Sequence, residues 1–483
     1  MSPVSRETFW RLLAGAVFLL FAAVAGWAQE PPPGPDPQPE PAVEAAEEIE
    51  EVAEAAAEPE VVENLLAIVG GRIHTVTDGV IHQGTVLVRA GRIEAVGAQV
   101  SVPAGARVID ATGMHVYPGL VATDASGLLG RPPKPADSFD PFSLTVDLAL
   151  SGGLTTVHNN GVVGKLTRGT LEGHILRENP FVELSYSSTS PTSRRKLVED
   201  LEKAREFLRQ RHAAERARAD GDKDAKDPSD KGVNKDLVEL LEGRRTAQLQ
   251  GSNARDLLAV VDLLERFPMR AVVGSGIEAW TVAPQLGRAG VMVVVSPRQK
   301  NWADDRFNRP NGWSIENARI LHDAGVRFTL QPRSSSISTG GIAGRDLLTL
   351  PMEAAFAIRG GLPQAAALKA ITLDAARILG VEDRIGSIEA GKDADLIVTD
   401  GDLFDYRTFV QWAVVNGRVA YDKQAAPYFA HIRPRQEPPS GDALDALRAA
   451  APGGADAALD DGKDVAEPRD VDAPENSSGT NGG

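Results

Sequence analysis

Asp124 and Ser126, two residues apart just after a short apolar run, are the first side chains able to do chemistry at a strand end. Later apolar runs are followed by further candidates: His158, Gln250, Ser275 and Arg333. A carboxylate or an imidazole can move a proton or hold a metal. A serine becomes a nucleophile only beside a base. Two arrangements are open. Asp124 with His158 gives a weak mononuclear metal site, short of the ligand number zinc takes. One of Ser334–Ser336 with His158 and Asp124 gives a Ser/His/Asp set, but no nucleophile-elbow sequence surrounds those serines. The eight histidines are His74, His82, His115, His158, His174, His212, His322 and His431, and none pairs with another at ligand spacing along the sequence. Arg333 places a cation where it would repel a metal ion. With no cysteine in the chain, thiolate zinc sites, disulfides and a lipoprotein anchor are excluded.

The elements that would position these residues alternate strand with helix. Val116–Val121, Leu154–Val157, Arg270–Val273, Val291–Val295 and Val326–Leu330 are short, apolar and bounded by Gly or Pro, and helical spacing fills Arg255–Arg266 and Ser314–Ala324. That order predicts parallel strands with helical crossovers, in a barrel or a doubly wound sheet. Branched apolar residues alternate with polar ones in two flanking blocks, Leu66 to Asp110 and Ile385 to Tyr421. These predict antiparallel strands, with Asn416-Gly417 a hairpin turn. Joined, the two blocks form one β-sandwich. Residues 194–247 interrupt the alternation with dense Lys, Glu and Arg; such an insertion is a solvated face or a partner-binding surface. Ser185–Ser190 is a surface loop or part of the mouth. Trp280, Trp302 and Trp313 are packing or rim residues, or an aromatic binding wall.

The ends have a different texture. Arg6 and Arg11 flank a short leader, Leu12 to Ala28 is nearly continuous apolar sequence, and Gly26-Trp27-Ala28 offers small residues for cleavage. Residues 1–28 are therefore expected to be an export signal, placing the protein in the periplasm or outside the cell. The alternative is an uncleaved membrane anchor, the only membrane association expected. Residues 29–63 hold twelve acids and no Lys or Arg, and residues 440–483 hold ten acids against three bases. The net charge of −16 thus belongs to the arms. The first arm is expected to be a disordered spacer or an acidic docking arm, and residues 438–483 a disordered tail. No basic, aromatic-rich surface points to nucleic acid.

Taken together, an N-terminal Gly-Gly-Arg-Ile block, Val116-Tyr117-Pro118-Gly119-Leu120-Val121, Gly152-Gly153-Leu154-Thr155-Thr156-Val157, Ala375–Gly380 and Ile385–Leu396 resemble the amidohydrolase superfamily. The similarity is greatest to its imidazolonepropionase- and dihydroorotase-like branches and covers roughly Leu65 to Asp422. The resemblance implies a TIM (β/α)8-type barrel over residues 114–384, with a composite β-sandwich from residues 64–113 and 385–423. It implies hydrolysis of non-peptide C–N bonds with zinc or another divalent metal.

The same comparison implies metal ligands that this chain lacks. The family's His-x-His after the first barrel strand is replaced by Asp124 and Ser126, with Ala122 where an acid stands. Later histidine positions read Gln248-Leu249-Gln250-Gly251-Ser252 and Gly274-Ser275-Gly276, and the last strand ends Gln331-Pro332-Arg333 instead of in an aspartate. The expectation is a pseudoenzyme with no cofactor and no metal, whose cleft binds a small molecule or which assembles with itself or an active homologue. The alternative is a working C–N hydrolase with an unusual mononuclear or metal-free site.

Overall fold

The computed structural model describes residues 65–130, 136–339 and 346–425. The expected signal, acidic spacer and acidic tail lie outside the described residues.

Seventeen strands are described. The composite sheet takes β1 (Leu65–His74), β2 (Val80–Arg89), β3 (Arg92–Gly97), β4 (Arg107–Asp110) and β5 (His115–Pro118) from the first block. The barrel strands are β6 (Leu120–Ala122), β7 (Leu154–Asn159), β8 (Val162–Lys165), β9 (Ile175–Glu178), β10 (Phe181–Leu184), β11 (Thr246–Leu249), β12 (Ala271–Val273), β13 (Met292–Val295) and β14 (Phe328–Leu330). Finally β15 (Leu396–Thr399), β16 (Val410–Val415) and β17 (Arg418–Asp422) return to the composite sheet.

The two ends of the chain meet where β15 runs antiparallel to β5, Leu396 opposite Pro118 and Thr399 opposite His115. The sheet order is β17-β16-β15-β5-β1-β2-β3, with β4 also on β1. β1 pairs with β2 on one side and on the other with β4 along its first half and β5 along its second, with a bulge at Gly70–Gly71 between them. The domain's own core, including Ile68, Ile73, Val88, Val116, Leu396 and Val414, draws on both blocks. Two hairpin turns carry the positive φ that a tight turn between right-twisted strands needs: Ala90-Gly91 at 49° and 82°, and Asn416-Gly417 at 50° and 71°.

Val116–Val121, expected as one barrel strand, divides at Gly119. His115–Pro118 belongs to the composite sheet and Leu120–Ala122 to the barrel. The break has a steric reason: a Cβ on Gly119 would stand 2.0 Å from Thr155 Oγ1, so only glycine lets β7 approach. The amide of Gly119 donates to Asp395 O at 2.9 Å, anchoring the crossover.

In the barrel, β6 and β7 are parallel and β10 to β14 form one parallel sheet in sequence order. The hairpin β8–β9 sits antiparallel beside β7. The wall closes at one seam through Gln331, which follows β14. Its Oε1 accepts from Thr123 N at 3.2 Å and its Nε2 donates to Asp124 O at 2.6 Å. At the other seam the His158 ring meets the Phe181 ring edge-on at 5.0 Å. The fold is a TIM-type α/β barrel with a composite β-domain.

The helix Ala254–Arg266 is amphipathic, burying Leu257, Val260, Val261 and Leu264, and is capped by Asn253, whose side chain accepts from Asp256 N. The charged insertion forms a 29-residue helix, Pro191–Ala219. One stripe, Leu201, Ala204 and Leu208, is buried on the main core while the rest of its surface is largely open.

Candidate active site

Barrel strands deliver their following residues to one face, where such folds carry out chemistry. Here those residues surround a cavity of about 210 Å³. Its apolar part is made by Phe181, Val272 and Val294, with Ile378 from the helix Leu373–Leu379. Its polar part is made by Thr123, Asp124, Gln248, Gln250, Ser296, Gln299, Gln331 and Arg333.

Each polar residue follows from a strand. Gln248 lies in β11 and Gln250 just beyond it, two residues apart, so they share a side of the strand. Gly274, after β12, leaves room for Gln250: a Cβ there would stand 3.0 Å from Gln250 Nε2. Ser296 and Gln299 follow β13, and Arg333 follows β14. Gln331 is buried, and its amide is spent on the Thr123 and Asp124 main chain.

Asp124 is wetted by the cavity yet crowded by its walls, and burial pushes its carboxyl above the ordinary carboxylate range. No ion pair or hydrogen bond of that carboxylate occurs among the described residues, nor any of the Arg333 guanidinium. Crowding without a counter-charge costs the ionised form, which is the usual state of a group held ready for a ligand or a proton.

Of the sequence candidates, Asp124, Gln250 and Arg333 meet at this cavity. Ser126 and Ser275 lie outside its lining. The main chain of Ser126 bonds Ser335 O at 2.7 Å, which helps close the seam. His158 is also outside the lining. Its Nδ1 donates to Thr123 O at 3.1 Å, which leaves Nε2 unprotonated and, among the described residues, without a partner. Burial holds this imidazole below its ordinary pKa, the Thr123 carbonyl only partly offsetting it. The Ser/His/Asp set is not assembled: Ser334 and Ser336 hydroxyls face each other at 3.3 Å, and neither touches His158. Ser188 N binds Asp256 Oδ1 at 2.8 Å, so the Ser185–Ser190 stretch is a loop docked on a helix start.

The pairing of histidines needs a correction. His74 and His115, on adjacent strands β1 and β5, approach to 3.1 Å between Nε2 and Nδ1. His74 also stacks on Tyr117 at 4.2 Å between ring centroids. The contact spans strands, so spacing along the chain could not reveal it. Burial, with His115 beside it, lowers His74 to about 4. Among the described residues no three His, Cys, Asp or Glu side chains come together as a metal site, there or in the barrel.

The residues that sequence reasoning passed over are Gln248, Ser296, Gln299 and Gln331. Gln248 and Gln331 had a signal, since each stands beside a chosen candidate. Ser296 and Gln299 follow β13 and carry no catalytic signature of their own.

Residues 292–427 match the family model described as the amidohydrolase family. Over 92 residues the chain is 36% identical to dihydropyrimidinase-related protein 5 of Mus musculus, covering 19% of this chain and 16% of that protein. Over 136 residues it is 29% identical to adenine deaminase 4 of Rhizobium meliloti (strain 1021), covering 28% of this chain and 20% of that one. The chain thus matches a fifth or less of the length of these curated relatives. Among solved structures, an amidohydrolase from Thermotoga maritima MSB8 superposes with a TM-score of 0.58 at 22% identity, over 74% of this chain and 100% of that one.

Proposed function

We propose that the chain is an exported, metal-independent member of the amidohydrolase superfamily that no longer hydrolyses C–N bonds. Its barrel cavity binds a small molecule, and its partner, if any, is a second copy or an active homologue. One observation carries this reading. The strand ends where such a barrel would grip a metal present one carboxylate, Asp124, among neutral amides, with the cation Arg333 elsewhere on the same lining.

A divalent ion does not suit that donor set. Carboxamides and hydroxyls are weak ligands for zinc, one carboxylate does not make a site, and a guanidinium at the rim repels a dication. A bound metal would supply hydroxide at neutral pH; among the described residues lining the cavity, Asp124 alone carries a side-chain base that could stand in for it. Export rests on the leader sequence alone, and the N-terminal residue of the secreted protein tests it.

A second reading keeps a metal-free hydrolase. Asp124 favours it, because an unpaired carboxyl with a raised pKa suits a general base. Elemental analysis of the purified full-length protein, with hydrolysis assays on cyclic amides and amines, separates the readings. The binding reading expects substoichiometric metal and no turnover. Stoichiometric zinc or manganese, lost together with activity on chelation, overturns it. Turnover without metal that disappears in Asp124→Asn establishes the alternative.

A further inference from the structure

We propose that the barrel cavity is a binding site for a neutral, polyhydroxylated ring of monosaccharide size, recognised by Gln248, Gln250, Gln299, Ser296, Asp124 and Arg333 and covered by Trp302. The proposal rests on the binding reading above and names its ligand class.

The first support is unspent hydrogen-bonding capacity. All six side chains line one cavity, and none has a side-chain hydrogen bond or ion pair among the described residues. Gln331 has already committed its amide to the seam, which leaves it as a fixed wall. A carboxamide offers two donors and an acceptor, and a serine offers both roles. Hydroxyl groups have the same dual character, so each ligand hydroxyl can donate to one amide oxygen and accept from a neighbouring N–H. Asp124 accepts from two adjacent hydroxyls, and the Arg333 fork donates to two oxygens in one plane.

The second support is charge and size. One carboxylate and one guanidinium cancel, so the lining favours neither an anion nor a cation. A volume of about 210 Å³ lies below the ~300–1,000 Å³ of pockets for drug-sized molecules. A cavity below that range suits a small ligand of about one ring.

The third is an aromatic surface on the loop that supplies Ser296 and Gln299. Trp302 is 87% exposed on it. The loop's base is pinned: Trp313 Nε1 donates to Pro297 O at 2.8 Å, Trp313 N to Asn301 O at 2.7 Å, and Trp280 Nε1 to Gly312 O at 3.0 Å. Trp280 and Trp313 are therefore spent on packing, whereas Trp302 keeps an open aromatic face three residues beyond Gln299. Sugar rings have C–H faces that seek such a surface, while their edges take the amides.

The test is titration calorimetry on the metal-free, full-length protein with glucose, galactose, N-acetylglucosamine and myo-inositol. Parallel titrations use glutamate, glycine and inorganic phosphate, and disaccharides of the sugars that bind. At least one neutral ring compound should saturate one site and shift tryptophan emission to the blue, a shift absent in Trp302→Phe. Gln250→Ala should weaken that binding about tenfold, the cost of leaving a ligand hydroxyl unpaired, with an unchanged melting temperature. Trp302→Ala should weaken it while leaving the charged probes without effect. Equal or tighter binding of a disaccharide supports a chain-end sugar as the source; binding of the single ring alone supports free monosaccharide. Binding of glutamate, glycine or phosphate in place of the sugars, or no binding in the panel, overturns the sugar assignment and leaves the non-catalytic reading standing. Stoichiometric metal with turnover overturns that reading instead.

Discussion

Lys165 Nζ lies 2.7 Å from Asp393 Oδ2, with the lysine side chain fully buried and the aspartate nearly so. The same ammonium lies 2.8 Å from Asp395 Oδ2 and donates to Asn416 Oδ1 at 2.6 Å. Lys165 stands in β8 beside the barrel, whereas Asp393, Asp395 and Asn416 belong to the returning composite block. A buried charge is tolerated only when paired and hydrogen-bonded, so this cluster ties the domains in one register. Lys165→Met should leave two buried carboxylates short of their main counter-charge. Breaking such a pair costs about 3–5 kcal/mol; Arg384, 2.6 Å from Asp393, keeps the loss toward the lower end. Chemical denaturation should show the loss, and a variant as stable as the parent would remove the cluster from any account of domain docking.

Gly119 gives a sharper steric test. A Cβ there would fall 2.0 Å from Thr155 Oγ1 and 2.4 Å from Thr155 Cγ2. Both belong to a buried strand that cannot easily shift. Gly119→Ala should destabilise by about 3 kcal/mol or more, at the upper end for overpacking. Adding Thr155→Ala removes both close atoms and should restore part of the loss. A single variant with an unchanged urea midpoint would mean that the two strands sit farther apart than described.

These residues also mark how far the sequence could be read. The alternation of short apolar runs with helical spacing led directly to the barrel, because burial on both faces leaves parallel strands little choice of composition. Asn416-Gly417 announced its own hairpin. Pro118-Gly119 falls inside an apolar run that reads as a single strand, although a proline followed by a glycine in close contact marks the crossover between domains. The meeting of His74 with His115 depends on strand pairing, which no spacing along the chain encodes. At the site, Asp124 and Arg333 are legible as charged side chains at strand ends. Gln248, Ser296 and Gln299 are not, because neutral amides and hydroxyls carry no catalytic signature until a cavity gathers them.

Three half-buried imidazoles set a pH dependence. His74 is lowered to about 4 by burial and by its neighbour His115, and burial also lowers His115 and His158. Between the ordinary histidine pKa and the lowered one, the unfolded chain binds protons that the folded chain refuses. Stability from these groups is therefore present above about pH 6.5 and lost as pH falls toward 4, where His74 itself charges. Each histidine contributes less than ~1.4 kcal/mol per pH unit, since solvent reaches part of the rings and screens them. Urea unfolding at pH 7 and pH 4.5 should show the drop, and His74→Gln should flatten it. An identical slope in parent and variant would exclude His74 as a source.

Asp124 should behave as a residue kept for binding at the expense of stability. Burial raises its carboxyl pKa and no cation among the described residues offsets the cost. An acid with a raised folded pKa holds its proton in the folded chain after the unfolded chain has released it. Its contribution therefore falls as pH rises above the ordinary aspartate value, and at neutral pH the ionised form is a burden. Asp124→Asn removes the charge and keeps the shape; because the carboxyl is open to the cavity and solvent screens most of its burial cost, the melting temperature should hold or rise slightly. Ligand affinity should fall in the same variant, because an amide cannot accept from two hydroxyls as a carboxylate does. A melting temperature that drops instead would mean that the carboxylate has a structural partner, and the cavity would lose the acid on which both binding and proton-transfer readings depend.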